Sequence, residues 1–127
     1  MAFVTIIAML ALIQYLAFGL LVGRARGKFG VDAPATTGNP EFERYFRAHY
    51  NTLEQLIVFL PALFAAGYFL NELLAVGAGA VFLVGRSLYF RTYVKDPATR
   101  GPGMMLTFLA NLVLVISALA GALLKAF

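Results

Sequence analysis

Two stretches of this sequence carry no charged residue and are long enough to cross a lipid bilayer. Residues 1–23 and residues 104–124 are both uncharged and predominantly apolar. Because a helix rises about 1.5 Å per residue, about 20 apolar residues cover a hydrocarbon core roughly 30 Å thick. Each stretch therefore predicts one membrane-spanning helix. Arg24, Arg26 and Lys28 follow the first stretch instead of preceding it, which is typical of a retained span and not of a cleaved secretory signal.

The composition indicates the same class of protein. Of the 127 residues, 61% are hydrophobic and only 13% are charged, whereas soluble domains are about half apolar and about a quarter charged. Two further apolar stretches lie between the uncharged ones, and Pro61 is expected to kink the first of them. We predict an all-α membrane protein, a bundle of four transmembrane helices in a single domain covering residues 1–127. The predicted helices are approximately 1–23, 41–70, 73–94 and 103–125.

The basic residues predict the topology. Nine of the ten Lys and Arg residues lie in or beside loops predicted at residues 24–40 and 95–102, and Lys125 is the exception. By the positive-inside rule, both loops are cytoplasmic and both termini are outside. This distribution accounts for the formal charge of +4 without a nucleic-acid partner. With no cysteine and one histidine, the chain offers neither a thiolate nor a His-rich metal site, and we expect no bound metal.

Polar residues at helical spacing lie near the same membrane face on two predicted helices. They are Arg47, Asn51 and Glu54 on the second helix, and Arg86, Tyr89 and Tyr93 on the third. Arg and Tyr near the end of a span often serve only as interfacial anchors. A carboxylate inside a span is different, because it costs about 2.5–3.5 kcal/mol unless it is paired. Glu54 is therefore expected to pair with Arg86 or Arg47, or to bind a ligand.

These side chains fit a pocket for a small, zwitterionic, peptide-like ligand. Guanidinium groups bind carboxylates, Glu54 would bind an ammonium group, and Asn51 and the tyrosines would bind amides. Apolar surface between the helices suits a lipophilic second substrate. Arg100 lies just before the fourth helix, where the helix dipole would favour a thiolate. His49 points roughly opposite the other polar residues of its helix, and it is either a helix-packing residue or a general base.

Residues 43–54 resemble the E-R-x-x-R-A-x-x-N-x-x-E signature of the MAPEG family, the membrane-associated proteins in eicosanoid and glutathione metabolism. That family includes microsomal glutathione transferases, leukotriene C synthase and microsomal prostaglandin E synthase. The resemblance extends through residues 34–42 and 85–93 and includes Arg100. It implies a four-helix bundle that forms a homotrimer and binds glutathione between neighbouring protomers near the cytosolic face.

The family's functional positions carry over to matching residues of this chain. Glutathione contacts of one protomer match Arg47, Asn51, Glu54, Tyr89 and Tyr93, and contacts from the neighbour match Arg26, His49 and Arg100. Arg100 matches the arginine that stabilises the glutathione thiolate, since an adjacent guanidinium favours the charged form. Three positions depart from relatives: Gln55 stands where leukotriene C synthase has Tyr, Gly101 where prostaglandin E synthase has Ser, and Thr52 where several members have Cys. We expect no chemical consequence from Thr52.

The resemblance predicts a membrane-bound glutathione transferase. It would activate glutathione as a thiolate for attack on lipophilic electrophiles from the bilayer, and peroxidase activity toward lipid hydroperoxides is compatible with the same pocket. Gly101 argues against an isomerase. The alternative is a non-enzymatic lipid-binding scaffold of the same fold, which the retained polar residues disfavour. A transporter would need paired half-helices or repeats, and none are evident. The protein would lie in a bacterial inner membrane or a microsomal membrane, and the short tail after Leu124 favours a bacterial member.

Overall fold

The computed structural model describes all 127 residues and contains four long helices and no strand. The helices are α1 (Ala2–Phe29), α2 (Pro40–Phe69), α3 (Glu72–Lys95) and α4 (Gly101–Ala126), and a short 3₁₀ turn (Pro97–Thr99) precedes α4. All four are long and apolar enough to cross a membrane. The predicted fold class, an all-α protein with four membrane-spanning helices, is confirmed. The protein is an integral, multi-pass membrane protein.

The end of α1 differs from the prediction. The helix continues to Phe29 instead of ending at residue 23, so the basic residues near its end lie on the helix and not in a loop. Cations in the last turn of a helix interact favourably with the helix dipole, which offsets the cost of the glycines there. Gly30 ends the helix with a φ of 67°, a left-handed conformation that glycine adopts without steric cost. The boundaries of α2, α3 and α4 lie within two residues of the predicted ones.

Asparagine side chains fix the starts of α2 and α3. The Oδ1 atom of Asn39 accepts hydrogen bonds from the backbone N–H groups of Glu41 (2.9 Å) and Phe42 (3.0 Å). The Oδ1 atom of Asn71 accepts one from the N–H of Leu74 (2.8 Å). These oxygens satisfy N–H groups that the first turn of a helix leaves without a partner.

An apolar core holds the four helices together. α2 and α3 form the centre of the bundle, with α1 and α4 packed against them. Phe59 of α2 and Phe82 of α3 are fully buried, and their stacked rings have centroids 3.7 Å apart. Val4 of α1 and Leu114 of α4 belong to the same cluster. We call this cluster the apolar core.

Contacts at the two ends of the bundle show how the loops are arranged. The Nη1 atom of Arg44, near the start of α2, donates a hydrogen bond to the carbonyl of Lys95 at the end of α3 (3.1 Å). The amino group of Met1 lies 2.9 Å from Glu72 at the opposite end. The loop before α2 and the turn before α4 therefore share one end, as the sequence predicts. We call it the loop end.

α3 and α4 approach each other closely at the loop end. Gly103 of α4 is buried against α3, and a Cβ atom at this position would collide with the backbone of Tyr89. Only glycine allows this contact. It fixes Tyr89 relative to the start of α4, where Arg100 lies.

Candidate functional site

The helix α2 has two faces of different character at the loop end. Its inner face carries Ala48 and Thr52, both 0% exposed. The predicted stripe of Arg47, Asn51 and Glu54 lies on another face: Arg47 and Glu54 are exposed, and Asn51 is half-buried at the border. The stripe therefore faces out of the protomer.

Arg86 of α3 is fully buried beside this border. Its Nη2 atom donates hydrogen bonds to the Oδ1 atom of Asn51 (2.9 Å) and the Oγ1 atom of Thr52 (2.8 Å). Its Nη1 atom donates a longer one to the Oγ1 atom of Thr107 on α4 (3.4 Å). The guanidinium carbon lies 4.3 Å from the centroid of the Tyr89 ring, a cation–π distance. One side chain thus links three helices.

The predicted tyrosines continue from Arg86 toward the loop end. The rings of Tyr89 and Tyr93 stack with their centroids 5.4 Å apart. Tyr93 also borders a cavity of about 300 Å³, whose lining includes Arg47 and Arg44. Arg86 thus contacts Asn51 and Tyr89, while Tyr93 stacks on Tyr89 and shares a cavity lining with Arg47. We call these five residues the polar cluster.

Arg100 lies beside an apolar groove. It is exposed at the start of α4, where its Nη1 atom donates to the carbonyl of Pro97 (2.8 Å). The groove has a volume of about 480 Å³, and its apolar lining includes Met104, Met105 and Phe108. The close contact of Gly103 with Tyr89 brings the start of α4, and with it Arg100, beside the polar cluster. A cationic group thus stands between the polar cluster and a surface suited to an apolar molecule.

Arg26 has its contacts elsewhere. Its Nη1 atom donates to the carbonyls of Val31 (3.3 Å) and Ala35 (2.7 Å), and its guanidinium lies 4.8 Å from the ring centroid of Phe42. These contacts tie the end of α1 to the following loop. Arg26 makes no hydrogen bond to the polar cluster.

His49 is also separate from the polar cluster. Its ring stacks on Tyr15 of α1 with centroids 4.3 Å apart, and its Nε2 atom lies close to Gly19. It faces α1, away from the stripe of Arg47, as the helical spacing predicts. Within the protomer its contacts are those of a helix-packing residue.

Glu54 has no charged partner in the protomer. The one salt bridge in the chain is at the opposite end, so the predicted pairing of Glu54 with Arg86 or Arg47 is wrong for a single protomer. Arg86 instead donates to the neutral oxygens of Asn51 and Thr52, because it approaches α2 on the inner face. Glu54 lies on the outer face, where Arg86 does not reach.

Two threonines have a role that the sequence pattern does not predict. Thr52, for which no consequence was expected, accepts a hydrogen bond from Arg86 and donates one to the carbonyl of Ala48 (2.9 Å). Thr107 likewise accepts a hydrogen bond from Arg86 and donates one to the carbonyl of Gly103 (2.9 Å). A hydroxyl in the middle of an apolar helix face is a signal that a buried polar partner exists.

Gln55, another departure from the relatives, also has an internal partner. Its Oε1 atom accepts a hydrogen bond from the Nδ2 atom of Asn111 on α4 (3.1 Å). The pair joins α2 to α4 one turn beyond Asn51. No group of three or more His, Cys, Asp or Glu side chains lies close enough together to hold a metal ion.

Comparison with known proteins places this arrangement in a family. Residues 4–120 match the model of the MAPEG family. The chain is 45% identical over 118 residues to an uncharacterized protein of Synechocystis sp., which covers 93% of this chain and 86% of that protein. It is 39% identical over 117 residues to human microsomal glutathione S-transferase 2, covering 92% and 78% respectively. It is 35% identical over 122 residues to leukotriene C4 synthase of Rattus norvegicus, covering 96% and 81%.

Proposed function

The chain belongs to the MAPEG family, and from this premise we propose that it is a membrane-bound glutathione transferase. Glutathione would be its co-substrate, and lipophilic electrophiles from the bilayer would be its second substrates. Family membership and the relatives named as glutathione transferase and leukotriene C4 synthase support a glutathione-related function. The same thiolate would also serve a peroxidase reaction with lipid hydroperoxides.

The observation that carries this proposal is the outward-facing stripe of α2. Arg47 and Glu54 are exposed on the outside of a protomer that is otherwise largely apolar there, and Asn51 is half-buried at the border. Charged groups in a span face a protein interior, a ligand or water, because hydrocarbon does not solvate them. A small zwitterionic peptide satisfies this set: Arg47 would bind a carboxylate, Glu54 an ammonium group, and Asn51, Tyr89 and Tyr93 the remaining polar groups.

The same stripe favours assembly as a homotrimer. Without a neighbour, Glu54 would face lipid with no partner. A second protomer would cover it and could bring Arg26, His49 and Arg100 toward the bound glutathione.

The basic residues support the orientation in the membrane. Both loops at the loop end would be cytoplasmic and both termini outside, since nine of the ten basic residues lie at that end. We propose a bacterial inner membrane as the location, which the similarity to a protein of Synechocystis sp. supports.

Arg100 would carry the chemistry. The guanidinium and the start of α4 together create positive potential, which favours loss of the thiol proton to water. The thiolate sulfur would then attack an electrophilic carbon held in the adjacent groove. A carbon–sulfur bond forms, and the displaced electron pair leaves with the leaving group or moves onto the opened or conjugated acceptor. Holding both reactants side by side supplies the remaining acceleration.

The first experiment is a thiolate titration of the purified protein in detergent. Glutathione is added while ultraviolet absorbance is followed at the thiolate band, with Arg100→Ala alongside. We expect a thiolate signal at neutral pH that disappears in the variant, although calorimetry still detects glutathione binding. Arg91→Ala is the matched control, because Arg91 is also exposed at the loop end but belongs to neither the polar cluster nor the groove.

Other outcomes would reassign the protein. If Arg100→Ala weakens glutathione binding but leaves the thiolate yield per bound glutathione unchanged, Arg100 has a binding role only. If the wild type shows neither a thiolate signal nor glutathione binding, the transferase proposal fails. A lipid-binding scaffold that uses the groove beside Arg100 would then be the better assignment.

A further inference from the structure

Arg86 carries a positive charge inside the bundle and has no carboxylate partner. It is 0% exposed, and the one salt bridge of the chain lies at the opposite end. A charge inside a membrane protein is costly unless polar groups replace its solvation. The groups that do so here are neutral: two threonine hydroxyls, the Asn51 amide and the Tyr89 ring.

The contact with Asn51 determines the direction of that amide. Only the Oδ1 atom can accept a hydrogen bond, because the amide nitrogen is a donor. The 2.9 Å bond from Arg86 therefore holds Oδ1 inward. The Nδ2 atom of Asn51 makes no hydrogen bond within the protomer and is not among the buried polar atoms. It is therefore accessible from outside the protomer and free to donate to a ligand.

Arg86 itself cannot follow a rotation of Asn51. Thr52 on α2 and Thr107 on α4 hold its two terminal nitrogens, and the Tyr89 ring lies against its plane. A planar guanidinium fixed in this way has one orientation. The Asn51 amide is therefore anchored to a rigid group that spans three helices.

We infer that Arg86 is a positioning residue that presents Asn51 as a hydrogen-bond donor to an oxygen of the ligand, either a carboxylate or a peptide carbonyl. The inference rests on the proposed glutathione site. It deepens that proposal by stating that Asn51 is the donor and the ligand atom beside it the acceptor. A ligand that offers an N–H group to Asn51 is rejected, because two donors would face each other. Arg86 need not touch the ligand.

Asn51→Asp separates this role from a structural one. The carboxylate has nearly the same shape and still accepts from Arg86, but it has no N–H to donate. The thermal midpoint in detergent is expected to stay the same or rise, because the buried guanidinium gains an opposite charge. The affinity for glutathione measured by calorimetry is expected to fall at least about tenfold, because an acceptor then faces the ligand oxygen.

A double-mutant cycle shows whether Arg86 acts through Asn51. Arg86→Lys keeps the charge but cannot hold Asn51, Thr52 and the Tyr89 ring at the same time. It is expected to weaken glutathione binding about fivefold or more in the wild-type background and to have no further effect in the Asn51→Ala background. Arg91→Lys is the control, since it makes the same substitution at an exposed position of α3 outside the polar cluster and is expected to leave the affinity within about twofold.

The outcomes distinguish failure of the proposed glutathione function from failure of the positioning role of Arg86. If wild-type protein does not bind glutathione, the proposed function fails and this inference fails with it. If wild type binds and Asn51→Asp binds equally well, the inference alone is overturned. An equal loss of affinity from Arg86→Lys in both backgrounds would also overturn it, because Arg86 would then act on the whole site and not through Asn51.

Discussion

The two halves of the bundle satisfy their side chains in different ways. In the apolar core, Phe59 and Phe82 stack, and every member is at most 9% exposed within the protomer. In the polar cluster, Arg86 has only neutral partners, and its Nε atom is buried without one. Arg47 and Glu54 point outward with no ion pair. The side chains of the apolar core are thus buried within the protomer, whereas several polar side chains at the loop end lack partners there.

This difference separates stability from function. Lipid is as apolar as a leucine side chain, so packing and hydrogen bonds, not exclusion of water, hold the helices together. Close contacts in the apolar core supply that packing. The polar cluster links three helices through Arg86, but it has a desolvation cost, which a ligand and a neighbouring protomer would offset. Substitutions in the two halves should therefore change different measured quantities.

The largest effect is expected from Phe59→Ala. It leaves a cavity opposite Phe82 and should lower the free energy of unfolding by about 3 kcal/mol, the lower end of the range for soluble cores, because the unfolded ring remains in lipid. Thermal unfolding in detergent measures the loss. Glutathione affinity of the folded fraction should not change.

Phe64→Ala is the matched control for Phe59→Ala. Phe64 lies on the same helix but is 38% exposed on its outer surface, so its removal should cost about 1 kcal/mol or less. If both substitutions destabilise the protein equally, outward packing between protomers contributes as much as the apolar core. The contrast between the two halves would then not hold.

Arg47→Ala should weaken glutathione binding and leave the stability nearly unchanged, the reverse of Phe59→Ala. The loss of a charge-assisted hydrogen bond to a ligand carboxylate is expected to weaken glutathione binding by about tenfold to a hundredfold. The free energy of unfolding should change by less than about 0.5 kcal/mol, because the exposed side chain has no partner in the protomer. Calorimetry with Arg91→Ala as the control measures the first effect. Unchanged affinity would remove Arg47 from the proposed site.

The sequence was sufficient to predict the helices because lipid imposes a simple rule. A chain in hydrocarbon must satisfy its backbone within helices, so apolar length alone locates the spans. The end of α1 was not predictable in the same way. Gly23 and Gly27 are tolerated inside the helix, and Gly30 ends it with a positive φ, although all three look alike in the sequence.

The site was predictable in part, for a related reason. Helical spacing is local, so it correctly grouped Arg47, Asn51 and Glu54 on one stripe. The partner of Arg86 depends on how α3 is rotated against α2 and on the close approach of α4 at Gly103. These are long-range features. Charge alone suggested Glu54 as the partner, whereas the geometry selects Asn51 and Thr52.

The smallest effect is expected from Glu54→Gln, which tests whether Glu54 binds the ligand or lies at the interface between protomers. The substitution keeps the shape and removes a charge that has no partner in the protomer, so the free energy of unfolding of the protomer should not fall. If Glu54 binds the ammonium group of glutathione at an exposed position, the affinity should drop by about two- to fivefold, the size expected for a solvent-screened ion pair. Deaminated glutathione, which lacks that ammonium group, should bind wild type and variant equally. A marked loss of trimer in cross-linking, with unchanged affinity for glutathione, would instead assign Glu54 to the interface between protomers.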